Sequence, residues 1–178
     1  MVGGVSSKAD FAGKLGRLTK EGGRKGDVAL STGYRVDRMN GLSVALIWLH
    51  ISGNVVWIGS ILAVAAIITA KSVDPKIRGE LALRVYSFLS VPAFVLGFVG
   101  GTARLLLDPR YYLVEHHWMH GKLLFAITVI GLHHVIGARA KKLARGTVQD
   151  SGPTAIMGTI LAVSAVVAAF FAIFKLPD

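Results

Sequence analysis

The stretch ALIWLHISGNVVWIGSILAVAAIITA, Ala45 to Ala70, decides the fold. From Leu42 to Ala70 no side chain carries a formal charge, and about 20 apolar residues suffice for a helix to cross a bilayer. One histidine, His50, lies inside this run. A histidine at membrane depth is costly without a partner, so His50 is a functional candidate by position alone. Asn54 and Trp57 follow at spacings of four and three, which places all three on one helical face. Lipid gives no reason for a polar stripe, so the stripe is expected to face other helices, with Gly53 and Gly59 permitting close approach.

Three further apolar spans follow this one, and the four are expected at about 42–70, 81–107, 117–140 and 153–174. The connections KSVDPKIRGE and LLDPRYYLVEHH are short, which favours antiparallel neighbours. The expected fold class is therefore all-α: an integral membrane four-helix bundle, up-down-up-down. Strand alternation is absent, which argues against a barrel. Residues 1–40 are rich in Gly, Ser, Lys and Arg, too poor in apolar side chains to fold alone, and are expected to form a basic, disordered tail before a bundle of residues 41–178. Met39 directly precedes the first span and is an alternative start.

Of 178 residues, 53% are hydrophobic, and 20 Lys and Arg stand against 10 Asp and Glu, a formal charge of +10. Much of the basic charge flanks apolar spans, so lipid headgroups are its expected partner, and the basic, aromatic-interleaved patterns of nucleic-acid binders are missing. There is no cysteine. Thiolate metal sites and iron–sulfur clusters are thereby excluded, and any metal must be held by His, Met or oxygen.

The remaining candidates lie on the second and third spans. Pro92 interrupts the second span in its middle and predicts a kink. Gly97, Gly100 and Gly101 thin the turns beyond it, which leaves room for a flat ligand or for another helix. Arg104 falls at the level of His116, His120 and Lys122 if the helices alternate. With Lys122 it forms a clamp suited to one or two carboxylates, with Glu115 as a competing partner. Lys122 and His133 are eleven residues apart, within about 20° of one face at 3.6 residues per turn. His133 is thus the better interior candidate than His134.

LHISGNVVWIG, VPAFVLGFVGG and WMHGKLLFAITVIGLHHVIG together resemble the first three helices of the superfamily joining HemJ-type protoporphyrinogen oxidases with CopD-type copper proteins. The resemblance covers residues 42–146. It implies a four-helix protein of the bacterial inner membrane that binds haem b and oxidises protoporphyrinogen IX. Such a protein would pass electrons to a quinone or respiratory chain, and a homo-oligomer is compatible with it. Position by position, the resemblance assigns His50 and Lys122 to catalysis. His50, His120, His133, Trp57 and Arg104 would hold the tetrapyrrole, with His50 and His133 on the metal. The chain departs from the HemJ pattern in one respect. Beyond Trp57 it reads SILAVAAIITA, without the usual arginine, so Arg104 or Arg84 would have to take that place. Two alternatives stay open: a CopD-like copper handler using EHHWMH, Glu115 to His120, or a non-catalytic membrane subunit in which these groups serve packing.

Overall fold

The computed structural model describes residues 41–174, and the residue 1–40 tail lies outside the described residues. The chain divides into two units at residues 44 and 45. The contacts below belong to the second.

Four helices, each long and apolar enough to cross a membrane, make up the fold: α1 Gly41–Thr69, α2 Pro75–Leu107, α3 Trp118–Ala144 and α4 Thr154–Phe174. Among the described residues there is no strand. The pairings establish the directions. Gly53 of α1 meets Gly97 of α2 and His50 meets Gly100 and Gly101, so the chains run oppositely. Gly79 meets Leu143 and Ala144, and Tyr86 meets Gly137, so α2 and α3 are antiparallel. Gly121 meets Phe171 across α3 and α4, and Gly158 of α4 meets Ala65 of α1. The order is therefore up-down-up-down around a four-helix membrane bundle.

Two helix ends differ from the spans expected. α2 begins at Pro75, where Asp74 caps it: the Asp74 carboxylate accepts from the amides of Lys76 (2.9 Å) and Ile77 (3.3 Å). Its first turns carry Arg78, Glu80 and Arg84, charges that hide the helix from an apolar-run reading. Arg78 is nevertheless buried, donating to the Gln149 carbonyl at 2.8 Å. α3 runs on to Ala144, because Ala140 and Leu143 stay in the core while Lys141 and Lys142 point outward. The cap is worth about 1 kcal/mol. Asp74→Ala is expected to lower bundle stability by that amount in a reversible detergent unfolding titration, with Asp74→Asn close to wild type.

The interruption predicted at Pro92 takes the form of a π turn, Tyr86–Ser90, in which the Val91 amide reaches the Tyr86 carbonyl. Proline has no N–H to return and its ring crowds the carbonyl four residues back; widening the preceding turn relieves both.

The core is zoned along the bundle. Toward the end formed by the α1–α2 and α3–α4 connections it is aliphatic: Ile61, Val64, Ile68, Ala82, Ile136, Ala140, Leu143 and Leu161. This end is tied down by basic side chains. Arg139 pairs with the Asp150 carboxylate and donates to its carbonyl at 3.0 Å, while Gly152, at φ +51°, lies against the Arg139 guanidinium. The opposite half of the bundle carries the polar groups.

Candidate functional site

The polar stripe of α1 faces its neighbours, and each member is held differently. His50 is half-buried, and its Nδ1 lies 2.7 Å from the Gly97 carbonyl of α2. A carbonyl only accepts, so Nδ1 carries the proton and donates. The Asn54 amide donates to the other ring nitrogen, Nε2, at 3.1 Å. His50 is thus the Nδ1–H tautomer, with its Nε2 lone pair covered by a neutral amide. The glycines of α2 make this possible. A Cβ on Gly101 would lie 2.5 Å from His50 Nδ1, and one on Gly100 would lie 2.8 Å from the His50 amide nitrogen. The room those glycines open is taken by α1 and its imidazole.

One turn further along, Trp57 is buried and donates its indole N–H to His133 Nδ1 of α3 at 3.0 Å. His133 is fully buried. Its ring stacks on Phe94 of α2 (centroids 5.1 Å, 28°) and packs on Tyr86 (5.0 Å, 31°). Trp57 also lies 4.9 Å from Phe94. Because Nδ1 accepts from the indole, the neutral His133 ring carries its proton on Nε2, and that nitrogen has no partner. The two histidines therefore have opposite tautomers: His50 holds a lone pair at Nε2, His133 a donor.

They also occupy different levels. His133 docks on Trp57, seven residues beyond His50, or about 10 Å at 1.5 Å per residue. Each histidine is held by its own partners and the structure does not bring the two rings together.

Lys122 is half-buried, within coulombic reach of His50. Arg104 is half-buried too. Its guanidinium lies over the Tyr112 ring at 5.3 Å, and its Nε is buried without a partner. Neither cation has a carboxylate partner among the described residues. Glu115, the competitor expected from sequence, pairs instead with Arg110 at 3.2 Å in an exposed bridge, and Asp108 accepts from the Tyr111 amide. His120 is exposed and lies 6.0 Å from the His117 ring. His116 packs edge-on against Tyr111 at 4.3 Å, while Met119 is buried. Among the described residues no group of three or more His, Cys, Asp or Glu is placed to hold a metal.

Sequence reasoning passed over three residues. Ser90 is fully buried with an unpartnered hydroxyl, and a serine within an apolar span was a visible signal. Tyr86, at the start of the uncharged run of the second span, gave no signal of its own, although its ring packs on His133 and lies 5.9 Å below the Lys141 ammonium. Arg78 resembled any loop cation until the α3–α4 connection came to rest on it. Compared with family models, curated proteins and solved structures, the chain matches none.

Proposed function

We infer that this membrane bundle is a tetrapyrrole-handling oxidoreductase that oxidises protoporphyrinogen IX, with His50 and Lys122 at its centre. The observation that carries the reading is the pairing of a half-buried imidazole, its lone pair covered only by a neutral amide, with a nearby half-buried lysine that has no carboxylate partner among the described residues. A substrate with two propionates needs cations at the membrane edge, and Lys122 with Arg104 supplies two that no carboxylate among the described residues answers. A porphyrinogen loses hydrogens from its carbon bridges, so a base must take the protons, and His50 Nε2 is that base once the Asn54 amide turns aside.

The residues fit haem b on one side only. His50 has its Nδ1–H held by a backbone carbonyl, as metal-binding imidazoles do, and its Nε2 would be open to iron only with the Asn54 amide turned aside. His133 does not fit as a second ligand, since the indole occupies the Nδ1 lone pair and Nε2 carries the proton. Haem b, when bound, would supply a one-electron acceptor; His50 offers a single lone pair, so it would hold the iron only where it is not the base, and Trp57 would wall the site.

Complementation tests the reading. In a strain lacking its own protoporphyrinogen oxidase, the wild-type chain is expected to restore growth without added haem. Lys122→Met and His50→Ala, present in membranes at wild-type level, are expected to lose at least about a hundredfold in oxidation rate, the ordinary worth of a positioned proton acceptor. Failure of a well-expressed wild-type chain to rescue, or full activity of both variants, overturns it.

A further inference from the structure

A cavity of about 300 Å³ opens on α2, walled by Glu80, Leu83, Arg84, Ser87 and Phe88. Glu80, Arg84, Ser87 and Phe88 follow one another at helical spacings, so they share one face, and all four are exposed. The buried residues of the same turns, Arg78, Gly79, Ala82 and Tyr86, lie on the other side. That side packs on α3, at Gly79 and Tyr86. The cavity is therefore on the outer surface of the bundle, turned toward lipid.

Its depth follows from the charges of α2. Between Arg84 and Arg104 the helix carries no charged side chain, a length of about 30 Å at 1.5 Å per residue, which is the thickness of a hydrocarbon layer. Arg84 thus stands where hydrocarbon meets headgroups. Glu80 lies one turn outward of it, and Ser87 and Phe88 lie one turn inward. Glu80 and Arg84 have the spacing at which opposite charges pair along a helix. Yet neither forms an ion pair with the other or with any described residue. From outside inward the cavity presents an anion, a cation, a hydroxyl and an aromatic ring that is 83% exposed.

We propose that this outer face of α2 is a binding site for a phospholipid with a phosphoethanolamine headgroup. Its ammonium donates to Glu80, its phosphate accepts from Arg84, a glycerol ester carbonyl accepts from Ser87, and an acyl chain runs along Phe88. The order of groups along the helix is the order of groups along the lipid. Basic charge alone favours any anionic headgroup, but here the carboxylate one turn outward selects among them. A headgroup with net negative charge is repelled by Glu80, and a quaternary ammonium has no N–H to give it. A primary ammonium beside a phosphate answers both side chains with charge-assisted hydrogen bonds. The site lies about 24 Å along α2 from Gly100, the level of His50, and stands whether or not the porphyrinogen reading does.

The test is native mass spectrometry of the full chain, released from micelles that carry phosphatidylethanolamine, phosphatidylcholine or phosphatidylglycerol with identical acyl chains. The ethanolamine lipid is expected to be retained about tenfold more tightly than the choline lipid, the worth of one hydrogen bond to a charged group. Glu80→Ala is expected to bring that ratio close to one. Arg84→Gln is expected to weaken retention of the ethanolamine lipid about tenfold. Both side chains are exposed, so both variants are expected to keep the wild-type thermal melt. Equal retention of the three lipids overturns the proposal. So does tighter retention of the glycerol lipid, which would make this face a general anionic-lipid surface. An ethanolamine preference that survives both substitutions overturns it as well, because the lipid then sits elsewhere on the bundle.

Discussion

Gly53→Val is expected to destabilise the bundle by about 3 kcal/mol or more, while Gly59→Val on the same helix stays within about 0.5 kcal/mol of wild type. A Cβ on Gly53 would run into the Gly97 backbone nitrogen and lie 2.7 Å from its Cα, whereas one on Gly59 has no atom within 4 Å. The obstacle at Gly53 is backbone, which cannot rotate away, so the helices themselves must part. In lipid this is a serious loss. The solvent is as apolar as the side chains, and close approach of backbones through small residues is a main source of helix association. Parting α1 from α2 would also break the 2.7 Å bond from His50 to the Gly97 carbonyl, so the substitution would free the imidazole as well as loosen the bundle. A reversible unfolding titration in mixed micelles, followed by circular dichroism, checks this. Equal stability of the two valine variants would show that the α1–α2 contact is not this close.

That contrast also marks what could be read in advance. The uncharged run of α1 and the polar stripe His50, Asn54 and Trp57 were visible, because helical period and the cost of polarity in lipid act within one segment. The glycines of α2 were visible as a groove, but not what fills it. That depends on the register between two helices, which aligns Gly97 with Gly53 and Gly101 with His50. The early start of α2 was hidden for a similar reason. Arg78 looks like a loop residue until the carbonyl of Gln149, from a distant connection, allows it to be buried. The preference for His133 over His134 as the interior histidine came from counting turns along α3, and the structure places them that way. The tautomers could not be read from sequence at all, since each depends on which atom a different helix sets against the ring.

The tautomers give the second large expectation. Removing the indole donor in Trp57→Phe leaves His133 Nδ1 empty beside a Nε2–H that is already unanswered, in a fully buried ring. The variant is expected to lose about 2–3 kcal/mol, part of it from the volume lost against Phe94. His133→Leu is expected to lose a similar amount, because it strands the indole N–H. The double variant removes donor and acceptor together, so its loss should fall short of the sum by about 1 kcal/mol, within the range found for side-chain hydrogen bonds inside membranes. Strict additivity would mean that the indole and imidazole are neighbours without a bond. Nitrogen-15 NMR reads the same point directly. The wild-type chain should show its proton on Nε2 in His133 and on Nδ1 in His50, and Trp57→Phe should disturb the first without moving the second. Opposite tautomers on two histidines of one bundle separate their chemistry: a lone pair near the cations of the membrane edge, and a donor at mid-membrane. If both rings were found in the same tautomer, the division between a lone pair near the cations and a donor at mid-membrane would lose its physical ground.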